Sequence, residues 1–246
     1  MGLIETWRLV KPTIVGIVRQ TASERPEEYK LVALGTGVCV HEKGLIVTAK
    51  HTIVNHYLRN NLSVDMDKGP TDEIPEDLFC VFTGEPDHSG FGLALQARPI
   101  KITFARERDL AFCILPPVTR YHAIKLPHYK TPIFEGQDIA AAGFPLRSVF
   151  YSSMYPNLFR GIISMLDPHD IICDINLHRG NSGGPLFHCE TGELLGIAYE
   201  YRETKVEGVL VDEGKKINFL APTNIVHAVP YNHIKLGVEF FEKGQL

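Results

Sequence analysis

The feature that most constrains this chain is its rhythm of ten short apolar stretches broken by glycine, proline, asparagine or aspartate: 13–20, 31–42, 44–51, 78–83, 109–115, 138–145, 159–166, 170–177, 194–202 and 206–211. β-Branched and aromatic residues dominate them, which favours extended backbone. Strands this short cannot bury an apolar face alone. At hairpin spacing they must close into a sandwich or barrel, so the expected fold class is all-β. Helix is expected only as a turn or two at 51–61 and 223–229.

Two stretches break the rhythm. Residues 64–77, VDMDKGPTDEIPED, are acidic and contain prolines, which predicts an exposed loop. A calcium site is disfavoured there, because the regular ladder of aspartate ligands is absent. Residues 115–132, proline-rich at both ends, read as a crossover between two halves of similar size. A chain of 246 residues with 44% apolar residues has enough material for a sizeable core.

Composition removes several function classes. A formal net charge of −4 supplies no basic field for nucleic acid. No stretch approaches the roughly 18 apolar residues of a membrane span. Met1–Val18 has no basic region followed by an apolar core and cleavage site, so a secretory signal is not indicated. The five cysteines, Cys39, Cys80, Cys113, Cys173 and Cys189, lack C-x-x-C spacing and read as buried thiols in a reducing compartment. A cytoplasmic setting is therefore expected, with no cofactor and no metal. Gly2 and Thr6 fit a short acylation pattern that recurs by chance.

The chemistry concentrates at HRGNSGGPLF, 178–187, where Gly183 and Gly184 follow Ser182. Paired glycines mark backbone that takes positive φ or passes close to a neighbour. An ordinary hairpin loop satisfies the same description. A nucleophilic serine needs a base, a group to orient that base, and backbone N–H donors for an oxyanion. His51 follows the apolar stretch LIVTAK, and Asp109 precedes the apolar stretch LAFCIL. Each alone is an unremarked surface residue; together they give the chain order His, Asp, Ser found in chymotrypsin-type enzymes.

These residues resemble a known family. Gly180-Asn181-Ser182-Gly183-Gly184-Pro185-Leu186, Thr48-Ala49-Lys50-His51 and Asp109-Leu110-Ala111 are similar to the motifs of trypsin/chymotrypsin-like serine peptidases, more closely of the HtrA (Deg) branch. The framework is similar as well, in KPTIVGI, GTGVCVHEKGLIVTAKH, AAAGFP and INFLAPTNIV, so that residues 11–227 are covered. The resemblance implies one peptidase domain over 1–246, built of two six-stranded antiparallel β-barrels with short helices. The N-terminal barrel would span 11–117, the C-terminal barrel 131–227, and a tail 228–246 too short for a PDZ domain.

The same resemblance implies a serine endopeptidase acting through an acyl-enzyme on a protein or peptide substrate. His51, Asp109 and Ser182 are the expected catalytic residues, and the N–H groups of Gly180 and Ser182 the expected oxyanion hole. The pocket for the residue before the scissile bond is expected from Asn176, His178, Ile197, Ala198 and Tyr199. Asn176 stands where trypsin-like enzymes carry an aspartate, so selection of Lys or Arg is not expected. Asn181, in place of an aspartate, speaks against activation by a freed N-terminus and leaves room for a regulatory protein partner. The competing reading is a binding or scaffold module that keeps the cleft and cuts little; an esterase with the same triad is a third. The oligomeric state is not written in the motifs.

Overall fold

The computed structural model describes residues 2–22, 29–71, 73–83, 95–117, 120–127, 132–145, 149–150, 155–209 and 216–246. Glycine-containing, β-branched stretches in the first half form β1 (Ile14–Ala22), β2 (Tyr29–His41) and β3 (Leu45–Thr48). A two-residue hairpin, β4 (Val64–Asp65) and β5 (Gly69–Pro70), sits in the acidic loop, followed by β6 (Leu78–Phe82), β7 (Leu95–Ala97), β8 (Lys101–Phe104) and β9 (Ala111–Ile114). Their sheet runs β7-β6-β1-β2-β3-β9-β8.

The second half contains β10 (Asp138–Gly143), β11 (Val149–Phe150), β12 (Asn157–Asp167), β13 (Asp170–Asp174), β14 (Pro185–His188), β15 (Leu194–Val209) and β16 (Lys216–Pro230). All but β11 close into an antiparallel six-stranded barrel, in the order β10-β12-β13-β16-β15-β14. The all-β double-barrel fold is present, with its second barrel closed. In the first half, among the described residues, β7 and β8 remain the free ends of a half-barrel. Strand β11 crosses over to pair with β2 at Leu31 and Val32.

The pattern of buried residues explains why two sheets become one body. One cluster fills the first half (Ile17, Ile46, Tyr57, Cys113) and another the closed barrel (Ile139, Ile163, Leu186, Ala228). A third cluster is shared: Val38, Val47 and Phe112 from the first half meet Ala140, Phe187 and Ile197 from the second. Alternate residues of one strand therefore serve different cores, as in β3, where Ile46 faces inward and Val47 faces the seam.

Three helices complete the fold: α1 (Leu3–Val10), α2 (Lys50–Arg59) and α3 (Tyr231–Glu242). Val10 of α1 and Ile234 and Val238 of α3 are buried in the shared cluster, so both terminal helices cover the seam. The segment 228–246, read as a tail, thus holds a packed helix. Residues 223–229, expected as a helical turn, are instead strand within β16. Their pairing with β13 (Cys173 with Val226) and β15 (Ala198 with Ala228) overrides a local pattern too short to hold a helix. The last two residues of the expected strand 206–211, and residues 118–119 and 128–131 of the crossover, lie outside the described residues. All five cysteines are buried and free of disulfides, and burial pushes the thiols of Cys39 and Cys173 up to about 12. Among the described residues no helix is long and apolar enough to cross a membrane.

Candidate active site

Strand pairing brings the first two candidates together. β3 and β9 are antiparallel neighbours with Thr48 opposite Ala111, so the chain leaving β3 and the chain entering β9 emerge at one edge. His51 is the second residue of α2, directly after β3. Asp109 lies in the loop between β8 and β9, closed by the Ala105 N–H donating to the Leu110 carbonyl at 3.0 Å. The Asp109 carboxylate then accepts twice from one residue. Oδ2 lies 2.6 Å from His51 Nδ1, and Oδ1 accepts the His51 backbone N–H at 2.8 Å. With Nδ1 held by a carboxylate, the imidazole presents Nε2 outward.

Ser182 comes from the other half, in the loop between β13 and β14. The loop is wound tightly: the Asn181 N–H donates to the His178 carbonyl at 3.0 Å, Gly184 to Asn181 at 2.8 Å, and Gly183 to Ala198 of β15 at 2.7 Å. Gly180 and Gly183 have φ of +100° and +87°, where a side chain is strained. A Cβ on Gly183 would also collide with the Thr36 carbonyl oxygen and Thr48 Oγ1. Among the described residues, the N–H groups of Gly180 and Ser182 have no hydrogen-bond partner, although those of Asn181, Gly183 and Gly184 all do.

One threonine of the first half holds this loop. Thr36, fully buried in β2, donates its N–H to the Ser182 carbonyl at 2.9 Å and its Oγ1 to the Gly180 carbonyl at 2.7 Å. The same Oγ1 accepts the Phe144 N–H at 3.0 Å, and the Thr36 carbonyl accepts Thr48 Oγ1 at 2.6 Å. Gly35-Thr36-Gly37 belongs to the framework stretch GTGVCVHEKGLIVTAKH, and nothing in its composition marks Thr36 itself. The signal available was the flanking glycine pair, which permits close approach of another backbone: a Cβ on Gly35 would meet the Ser182 carbonyl oxygen.

His51, Ser182 and Gly180 line one cavity of about 200 Å³ between the halves. Among the described residues no hydrogen bond joins Ser182 to His51. Such bonds are often long in an empty site and tighten around a substrate. A separate crevice of only about 10 Å³ adjoins Ser182 and is lined by His178, Ala198 and Tyr199, with Tyr201 at its edge. Of the other residues expected there, Asn176 is exposed and outside the crevice, and Ile197 is buried in the shared cluster. Tyr199 has its phenol raised to about 12, by burial first and then by Asp170, toward which its hydroxyl points at 3.4 Å. Among the described residues no three His, Cys, Asp or Glu side chains converge as a metal site.

The family model for the trypsin-like peptidase domain matches residues 35–197, well over half of the chain. The chain belongs to the trypsin-like peptidase family. The match runs from Gly35, beside Thr36, to Ile197 on β15, and so encloses His51, Asp109 and Ser182. The fold of this trypsin-like peptidase domain is also similar to that of a serine endoprotease from Yersinia pestis, with a TM-score of 0.59. That similarity covers 100% of this chain and 67% of the other at 20% identity. No curated protein matches the chain.

Proposed function

We propose that this trypsin-like peptidase domain is a serine endopeptidase that works through an acyl-enzyme. The observation that carries the reading is the double grip of Asp109 on His51, in a cavity that Ser182 also lines. A carboxylate that fixes both the helix start and the ring nitrogen of one histidine sets tautomer and orientation together, which is what a general base requires.

In the proposed mechanism Ser182 Oγ attacks the peptide carbonyl while His51 Nε2 takes its proton. Asp109 stabilises the imidazolium so formed. The N–H groups of Gly180 and Ser182 donate to the developing oxyanion, each worth about 3 kcal/mol in the transition state. His51 returns the proton to the leaving amine, and water then repeats the sequence on the acyl-enzyme. The substrate is a protein or peptide.

The test is hydrolysis of a random-sequence peptide library by the whole chain, followed by mass spectrometry, with Ser182→Ala beside it. Cut sites that vanish in the variant support the reading. Equal cleavage by both proteins, or none by either, overturns it and favours the binding module.

A further inference from the structure

The cavity beside Ser182 carries a charge that the proposed chemistry does not use. Besides His51, its wall holds Arg19 from β1, His56 and Arg59 from α2, and Arg179 from the serine loop, and none of the described residues lining it is acidic. The whole chain has a formal net charge of −4, so this positive wall is local. Three carboxylates pair with members of this wall, and Glu200 lines the adjoining crevice. Asp109 holds His51; Asp77 Oδ1 sits 3.1 Å from His56 Nε2; Glu203 lies 3.7 Å from Arg179, whose Nε donates to the Tyr201 hydroxyl at 2.7 Å. Arg19 and Arg59 have no such counter-ion among the described residues, and Arg19 Nε is buried without a partner. Both arginines line the same cavity as His56. His56 has its pKa lowered chiefly by burial, opposed by Asp77 and reinforced by both arginines.

The position of this wall relative to the scissile bond follows from the chemistry. His51 must hand its proton to the leaving amine, so the leaving segment passes His51, and the cavity that continues from it is lined by Thr52, Asn55, His56 and Arg59 of α2. The residue before the scissile bond is assigned to the crevice at Ala198 and Tyr199, as the family resemblance implies; Ser182 and Tyr201 line both spaces. From His51 to Arg59 the helix advances about 12 Å. That distance matches about three to four residues of extended peptide.

We infer that the domain selects substrates carrying Asp or Glu within the first few residues after the scissile bond, with Arg19 and Arg59 as the residues that bind them. This rests on the peptidase reading above and adds to it a substrate class: peptides with an acidic leaving segment. An unpaired guanidinium in a partly closed cavity gains more from a carboxylate than one in open water. Two such partly exposed pairs give a preference on the order of tenfold.

The experiment is a cleavage-site profile of the whole chain on a peptide library containing acidic, neutral and basic sequences, read by mass spectrometry. Arg19→Gln/Arg59→Gln is profiled beside it, and Ser182 occupancy by a fluorophosphonate is measured in parallel. Arg59→Glu is included because Arg59 is exposed at the helix end and that change spares the interior. The expected result is about tenfold enrichment of Asp and Glu in the three positions after the cut, lost in the double variant and weakened in Arg59→Glu. Cut sites with no acidic enrichment, or enrichment that survives both changes, overturn the inference and leave the peptidase reading intact. A fluorophosphonate adduct without cut sites also overturns it, since acidic leaving segments were then offered and refused. Neither adduct nor cut sites overturns the peptidase reading and the inference with it.

Discussion

Thr36 and Gly180 are joined across the seam between the two halves by a 2.7 Å hydrogen bond from the threonine hydroxyl to the glycine carbonyl. The bond orients the peptide that follows Gly180, and the Thr36 N–H fixes the next carbonyl but one, that of Ser182. A side chain of one half thereby sets the backbone of the serine loop in the other. Thr36→Val keeps the shape and deletes the hydroxyl, leaving the Gly180 carbonyl and the Phe144 N–H unpaired in the interior. The expected cost is about 2 kcal/mol in a thermal or urea melt. Ser182 is expected to react about tenfold more slowly with a fluorophosphonate. Thr36→Ser, which retains the hydroxyl, is expected to lose less of both.

Gly183→Ala tests the winding of the loop. At φ +87° a methyl group is strained and meets the Thr36 carbonyl and Thr48 Oγ1 as well. The two effects together are expected to remove about 3 kcal/mol of stability. Gly136→Ala supplies the contrast: φ is +80° there, with nothing within 4 Å of an added methyl, so about 1 kcal/mol is expected. Similar losses at the two positions would refute the packing argument.

Asp109→Asn tests the orienting role. An asparagine oxygen can still accept the His51 backbone N–H, so the fold should survive, but its amide cannot hold the same ring tautomer. Peptide hydrolysis is expected to fall by about 10⁴-fold with an unchanged melting temperature. A loss below tenfold would remove Asp109 from the mechanism.

His56 predicts how stability responds to acid. It is 1% exposed, and its pKa is lowered from 6.5, chiefly by burial. The folded state therefore resists a proton that the unfolded chain accepts. This contribution is fully present above the unfolded value near 6.5 and is lost as pH falls through the lower folded value. His233, lowered for the same leading reason, acts in the same direction. Urea melts between pH 7.5 and 5 should show stability falling with acid, and His56→Gln should flatten that slope. A slope unchanged by the substitution would assign it to other groups.

These tests also mark what the sequence could disclose. The placement of His51 against Asp109, in a cavity that Ser182 also lines, was legible because each residue is framed by its own neighbours: a strand before His51, a strand after Asp109, glycines around Ser182. The closed barrel was legible from short β-branched runs. The first part of β16 was legible from the resemblance of INFLAPTNIV to a closing strand, but its end was not, because TNIVHAV carries no local signal stronger than its pairing with β13 and β15. The role of Thr36 depends on a carbonyl 144 residues away. Arg19, Arg59 and Arg179 meet only once β1, α2 and the serine loop are assembled around one cavity. Arg179 adjoins Gly180 in the serine motif, and no spacing rule connects it to the other two.

The central claim is that Ser182 is an activated nucleophile with His51 as its base. Intact-mass and peptide-mapping analysis of the chain after exposure to a fluorophosphonate tests it most directly. One adduct per chain is predicted, on Ser182, absent in Ser182→Ala and formed far more slowly in His51→Ala. No adduct, or an adduct of equal yield in Ser182→Ala, would contradict the account.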